Sequence, residues 1–151
     1  MFWIYIILVV AIDRVTKYLV TSNMHEWQSI PVIDGFFHIT YVMNDGAAWS
    51  ILQGQRWFFV IITVMVFAGL LWFLRGVPKS KRLMRFSLAL FGGGACGNFI
   101  DRLFWGAVTD FFDFRFFPVF NVADSCIVIG VALLTLCVLK SKGVKSTEGE
   151  V

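Results

Sequence analysis

Apolar residues run almost unbroken through four stretches of the chain, roughly residues 2–20, 57–75, 86–104 and 120–139. Each is about 20 residues long, the length at which a helix crosses ~30 Å of hydrocarbon. Backbone groups in lipid must be satisfied within the segment, so the pattern predicts helices rather than lone strands. The polar positions inside these stretches gather toward one end: Asp13 and Lys17 in the first, Asn98, Asp101 and Arg102 in the third, Asn121 and Asp124 in the fourth. Asp110 lies in the link between the last two.

Composition agrees with this pattern. Of 151 residues, 58% are hydrophobic and only 15% charged, which a soluble domain of this size could not cover. The predicted class is an all-α membrane protein with four transmembrane helices. Residues 1–140 form one membrane domain, and residues 141–151 are a polar tail expected to be disordered. Span 2–20 is read as a retained helix, because no small-x-small site follows it and Asp13, Arg14 and Lys17 interrupt its apolar run.

The net charge of +3 matters less than where it falls. Arg75, Lys79, Lys81, Arg82 and Arg85 sit in the second link, and Lys140, Lys142 and Lys145 follow the last span. By the positive-inside rule both termini are cytoplasmic, and links 21–56 and 103–119 face outward. The basic residues thus orient the chain in a bilayer, which explains them better than nucleic-acid binding does. Cys96, Cys126 and Cys137 all fall in spans and read as small apolar fillers, not a disulfide framework.

The outward link 21–56 has structure of its own. Two short strands, 30–33 and 36–42, flank an Asp34-Gly35 turn and form a small extracytoplasmic sheet. Phe36, Phe37 and Tyr41 would rest it on the membrane. Asn44-Asp45-Gly46 is a second turn, and 47–52 fits a short interfacial helix. Segment 110–117, charged and aromatic by turns, reads as an interfacial belt. Gly93 and Gly97 in span three would let another helix approach closely.

Depth along each helix sharpens the cluster. Asp13 lies roughly 18 Å along its span, and Asn98 and Asp101 about 20 and 24 Å along theirs. Asp124 lies only about 6 Å below the outer surface. Asp13 and Lys17 are i,i+4 and fit an ion pair that holds span one to its neighbours. Asn98 shares a face with Asp101 and Arg102. Arg102 fits either a snorkelling interface residue or part of a site. Asn121 and Asp124 fit a capping box, a reading compatible with a functional carboxylate at the helix N-terminus. Asp110 alone would be an ordinary loop acid. Asp110 and Asp124 nevertheless flank one outward link and can meet at the bilayer surface. A carboxyl pair sharing a site holds one proton between them, the state that activates water and protonates an amide. His25 and His38 are too far apart to suggest a metal site, and no G-x-S-x-G motif occurs.

Five segments together carry a family resemblance: Asp13-Arg14-Val15-Thr16-Lys17, Asn44-Asp45-Gly46-Ala47-Ala48-Trp49-Ser50, Gly97-Asn98-Phe99-Ile100-Asp101-Arg102, Val108-Thr109-Asp110-Phe111 and Phe120-Asn121-Val122-Ala123-Asp124-Ser125. In this order, on these spans, the chain resembles lipoprotein signal peptidase (signal peptidase II), a family of bacterial membrane aspartyl proteases. The resemblance implies removal of signal peptides from diacylglyceryl-modified prolipoproteins, just before the lipid-bearing cysteine, at the outer face of the cell membrane. It implies a catalytic dyad of Asp110 and Asp124, with Asn44, Asn98, Arg102 and Asn121 orienting the substrate backbone or the dyad. Asp13, Lys17, Asp101 and Gly46 become structural support, Asp101 through helix packing or by orienting Arg102. The sheet becomes a cradle, and the short helix after it a flap. No metal or organic cofactor is needed. The implied partners are the prolipoprotein and membrane lipid, and nothing demands more than a monomer. Arg14 departs from the Gln that many members carry.

Two other readings fit the composition. A small polytopic transporter or channel subunit would string polar groups through the full membrane depth, whereas here they sit at one end. A structural scaffold would use Asp124 as a cap and Asp101 and Arg102 as packing groups.

Overall fold

The computed structural model describes residues 1–46 and 51–147. Its elements run α1 (Phe2–Asn23), β1 (Ser29–Ile33), β2 (Phe37–Asn44), α2 (Arg56–Arg75), α3 (Arg82–Phe104), β3 (Val108–Asp113) and α4 (Val122–Thr147). The apolar stretches of the sequence are therefore all helical. α2, α3 and the 122–140 part of α4 are long and apolar enough to cross a membrane. α1 has the length, at 22 residues, but carries Asp13, Arg14 and Lys17.

α3 is the central helix and touches the other three. Its glycines make this possible. A Cβ on Gly97 would lie 2.6 Å from Asp13 Oδ2 and 3.3 Å from Ala123 Cβ, so α1 and α4 both close on that point. A Cβ on Gly93 would meet Val9 at 2.8 Å, and one on Gly94 would meet the Ala123 carbonyl. The glycine cleft is thus filled by α1 and α4. Away from the polar end, Phe2, Leu70, Val77, Leu88 and Ala89 form the buried apolar core. The outward faces stay apolar, with Trp3, Ile7, Val15 and Leu19 of α1 all exposed.

The sheet caps the polar end of the bundle. Gly35 adopts φ +68° in the turn that joins β1 to β2, and Phe36 N–H donates to Ile33 O at 3.0 Å. β1 and β2 are antiparallel, with Ser29 opposite Thr40. A third strand joins them in the order β1-β2-β3. This strand corrects the reading of 110–117 as an interfacial belt: residues 108–113 pair with β2. Its sequence shows no alternation because five of its six residues, on both faces, are buried. Phe111 packs with Val20 and Met24 at the end of α1, which seats the sheet on the bundle. Phe36, Phe37, Phe112, Phe114 and Phe120 form a continuous set of ring contacts beside it.

Two boundaries differ from the sequence pattern. The expected interfacial helix at 47–52 has residues 47–50 outside the described residues, and Ile51 and Leu52 lie in a turn. α4 continues to Thr147, into the segment expected to be a disordered tail; no proline interrupts it.

Candidate active site

Asp110 owes its position to strand register. Val42 sits opposite Asp110 and Asn44 opposite Val108, so Asn44 and Asp110 are diagonal neighbours on one sheet face. Asn44 Nδ2 donates to Asp110 Oδ2 at 2.9 Å. The Asn44 carbonyl oxygen Oδ1 accepts from Gly46 N–H at 3.0 Å, so the turn at 44–46 fixes the amide from its other side.

Asp124 owes its position to a helix cap. Asp124 N–H donates to Asn121 Oδ1 at 3.0 Å, and Asn121 N–H donates back to Asp124 Oδ2 at 3.2 Å. This reciprocal pair is a capping box, and it sets the Asp124 carboxylate in the first turn of α4. The two acids are then linked through amides. Asn121 Nδ2 donates to Asp110 Oδ1 at 2.6 Å and to Asn98 Oδ1 at 3.2 Å. Asn98 Nδ2 donates to Asp124 Oδ1 at 2.6 Å. Asn121 is 0% exposed, so its whole amide is spent on this network.

Behind the asparagines lies a charge cluster between α1 and α3. Lys17 Nζ reaches Asp101 Oδ2 at 2.6 Å, Asp13 Oδ2 at 3.0 Å and Asn98 Oδ1 at 2.9 Å. Arg14 bridges Asp13 at 2.8 Å and Asp101 at 2.5 Å, and also donates to Gly97 O. Asp13 Oδ1 accepts from Ala123 N–H at 3.2 Å, one residue before Asp124. Two cations face two carboxylates, so the buried cluster is neutral and its charges are paired. Arg14 was legible in sequence as a charge interrupting the first span and as a departure from the family pattern, with no partner assigned. Its neighbours Asp13 and Lys17 were the available signal, but the partner Asp101 lies 87 residues away. Asp101 is turned toward α1, while Arg102, the next residue on the helix, points elsewhere.

Arg102 Nη2 donates to Gly46 O at 2.8 Å, and its guanidinium lies 4.6 Å from the Phe59 ring centroid. It is thereby anchored to both the turn after β2 and the start of α2. Asp110, Asp124, Asn44, Asn98 and Arg102 all line one cavity of about 430 Å³, whose remaining walls are largely apolar. Thr63, which no motif or spacing marks, and Phe117, from the aromatic segment 110–117, line it too. A larger cavity, about 670 Å³, lies at the other end of the bundle and has no carboxylate in its walls.

Two acids on β3 have opposite electrostatics. Burial, and then the nearby charge of Asp124, push Asp110 up to about 7 against the pull of Asn44, Asn121 and Lys17. Burial also works against the Asp113 carboxylate, but hydrogen bonds from Thr40 at 2.7 Å and from Arg115 at 2.9 Å hold it below the usual range. Asp110 therefore holds its proton through mildly acidic pH, up to about 7, where Asp113, three residues on, is already ionised.

The same architecture occurs in solved structures. A bacterial membrane enzyme determined by the in meso method at 2.3 Å resolution superposes with a TM-score of 0.90 at 39% identity, covering 95% of this chain and 90% of that one. A second such enzyme, at 1.9 Å resolution, gives 0.84 at 40% identity and 92% of each chain. The class is thus a helical, membrane-embedded enzyme. The model of the signal peptidase (SPase) II family matches residues 5–140, and the chain belongs to that family of aspartic peptidases. It is 49% identical over 138 residues to a lipoprotein signal peptidase of Desulfitobacterium hafniense, covering 91% of each. It is 43% identical over 152 residues to that of Bacillus subtilis, covering 98% of this chain and 99% of the relative.

Proposed function

We propose that this chain is a membrane aspartic endopeptidase that removes signal peptides from diacylglyceryl-modified prolipoproteins, cleaving just before the lipid-bearing cysteine. The observation that carries the reading is that Asp110 and Asp124, from different elements, line one cavity and are joined through Asn121, which bonds both, and Asn98, which bonds Asn121 and Asp124. The mostly apolar walls suit a lipid-bearing substrate that reaches the acids from the bilayer.

In this reading the pair holds a single proton, on Asp110, whose burial favours the neutral acid. Asp124 is then the base. It takes a proton from a water molecule as the water oxygen bonds to the scissile carbonyl carbon. Asp110 gives its proton to the amide nitrogen as the carbon–nitrogen bond breaks. The dyad ends with the proton on the other acid, and a proton exchange with water resets it. Arg102 Nε is buried and has no hydrogen-bond partner among the described residues, which makes it a donor for a substrate carbonyl. Asn44, Asn98 and Asn121 hold the dyad in place.

α1 serves as a fourth span in this proposal. Its charges are turned inward and paired, with Asp13 0% and Lys17 3% exposed, while its outward face is apolar. The basic residues at 75–85 and 140–145 support cytoplasmic termini and an active site at the outer face of the cell membrane. The chain acts as a monomer, since both acids come from one copy.

The test is cleavage of a diacylglyceryl-modified prolipoprotein by wild type and by Asp124→Asn at matched folding. A loss of about 10²–10⁴-fold in turnover is expected. Equal cleavage by the two proteins would reduce Asp124 to a helix cap.

A further inference from the structure

We propose that the end of the bundle opposite the two acids is a binding site for an anionic phospholipid. The cavity of about 670 Å³ there lies between the N-terminal ends of α1 and α3. Its walls are apolar and aromatic, chiefly Phe2, Trp3, Leu83 and Phe86, and its rim carries Lys79, Arg82 and Arg85.

The cations differ in how they are held. Arg85 is fixed, with Nη1 donating to Val77 O at 2.8 Å and the guanidinium over the Phe2 ring. Lys79 and Arg82 are exposed, and neither enters any ion pair found among the described residues. Among the described residues nothing acidic offsets them nearby: the first turn of α3 has no acid, and Lys81 provides no side-chain cap. The positive end of the α3 dipole adds to the same field.

An occupant must therefore be apolar along its length and negative at one end. A free anion would leave Phe2, Trp3 and Phe86 uncovered. A polar peptide bearing glutamates, such as the chain's own Glu148 and Glu150, has no apolar length to match them. In a bilayer the fitting molecule is a phospholipid with an anionic head, its acyl chain along the aromatic wall and its phosphate among the three cations. The inference rests on the chain lying in a membrane and is independent of the roles proposed for Asp110 and Asp124.

The test uses nanodiscs containing equal amounts of phosphatidylglycerol and phosphatidylcholine at low ionic strength. Lipids retained on the extracted protein are counted by native mass spectrometry. Wild type should retain phosphatidylglycerol in preference. Each cation near the surface is worth about a fivefold gain, so Lys79→Gln/Arg82→Gln should lower that preference by roughly thirtyfold. Leu83→Trp, which fills the cavity at constant charge, should lower it too. Arg75→Gln/Lys81→Gln removes the same charge from the other side of the link and should leave most of it. Retained prolipoprotein cleavage would show that each variant is folded. Equal retention of the two lipids by wild type, an unchanged preference in the first variant, or an equal loss in the charge-matched control would overturn the site.

Discussion

Lys17 Nζ donates to Asn98 Oδ1 at 2.9 Å across the α1–α3 interface, and this bond decides which way the Asn98 amide faces. Asn121 Nδ2 occupies the same oxygen at 3.2 Å. With its oxygen taken twice, Asn98 turns its NH₂ group to Asp124. A charge cluster with no surface of its own in the cavity thus reaches the proposed base through one amide.

Lys17→Met should therefore act on both stability and turnover. It leaves Asp13 and Asp101 with only Arg14 between them, a broken buried network that costs about 3–5 kcal/mol. It also removes one of the two donors that orient the Asn98 amide, leaving only the longer bond from Asn121 on its oxygen. Thermal unfolding should show the first effect. In the folded fraction, kcat should fall while KM changes little, because the substrate surface is untouched. A variant that is less stable but has normal kcat would confine Lys17 to structural support.

Gly97→Ala should disrupt the same junction by crowding. The new methyl group would stand 2.6 Å from Asp13 Oδ2 and 3.3 Å from Ala123 Cβ. Asp13 cannot retreat without losing Lys17 and Arg14, so the helices must part, at a cost of about 1–3 kcal/mol. Gly69→Ala, where an added Cβ meets nothing within 4 Å in the interior of α2, is the control and should leave cleavage unchanged without lowering the melting temperature. Equal behaviour of the two variants would contradict close packing of α1 and α4 at Gly97.

Much of this site was legible because its parts are local. The i,i+4 spacing of Asp13 and Lys17, the Asn121/Asp124 cap signature and the Asp34-Gly35 turn each fit within one element. The parts that escaped depend on partners far apart in sequence. β3 carries Asp110 but reads as an aromatic belt, because residues on both its faces are buried and its strand partner, β2, lies 64 to 75 residues earlier. The pairing of Arg14 with Asp101 depends on how α1 and α3 face each other, which no spacing on either helix reveals. Depth placed Asn98 near the acids, but which of its atoms meets Asp124 follows from Lys17 on another helix.

The pH dependence of cleavage should have its basic limb at Asp110. Burial beside Asp124 keeps its carboxyl protonated up to about pH 7. The leaving amine needs that proton, so kcat/KM should fall above about pH 7, approaching tenfold per pH unit. A profile of kcat/KM that stays flat through pH ~9 on stable enzyme would remove Asp110 as the acid.

Stability should show the same group with the opposite consequence for its replacement. The folded protein holds the Asp110 proton up to about 7, whereas the unfolded chain releases it near the ordinary value of 3.8. The folded state therefore binds more protons between those values, and wild-type stability must decrease as pH rises through that window and level off above it. At about 1.4 kcal/mol per pH unit the full loss is on the order of 4 kcal/mol. Asp110→Asn cannot ionise and escapes this loss. It has a constant cost instead, because one of the donors Asn44 Nδ2 and Asn121 Nδ2 then faces an NH₂ group, worth about 1–3 kcal/mol. The variant should thus be no more stable than wild type near pH ~5, gain on it as pH rises toward ~7 and hold that gain to pH ~8, while remaining inactive throughout. Thermal unfolding of both proteins across that range measures the gap directly. A gap that stays constant with pH would mean that Asp110 is not held protonated in the fold, and the assignment of acid and base to the two aspartates would have to be reversed.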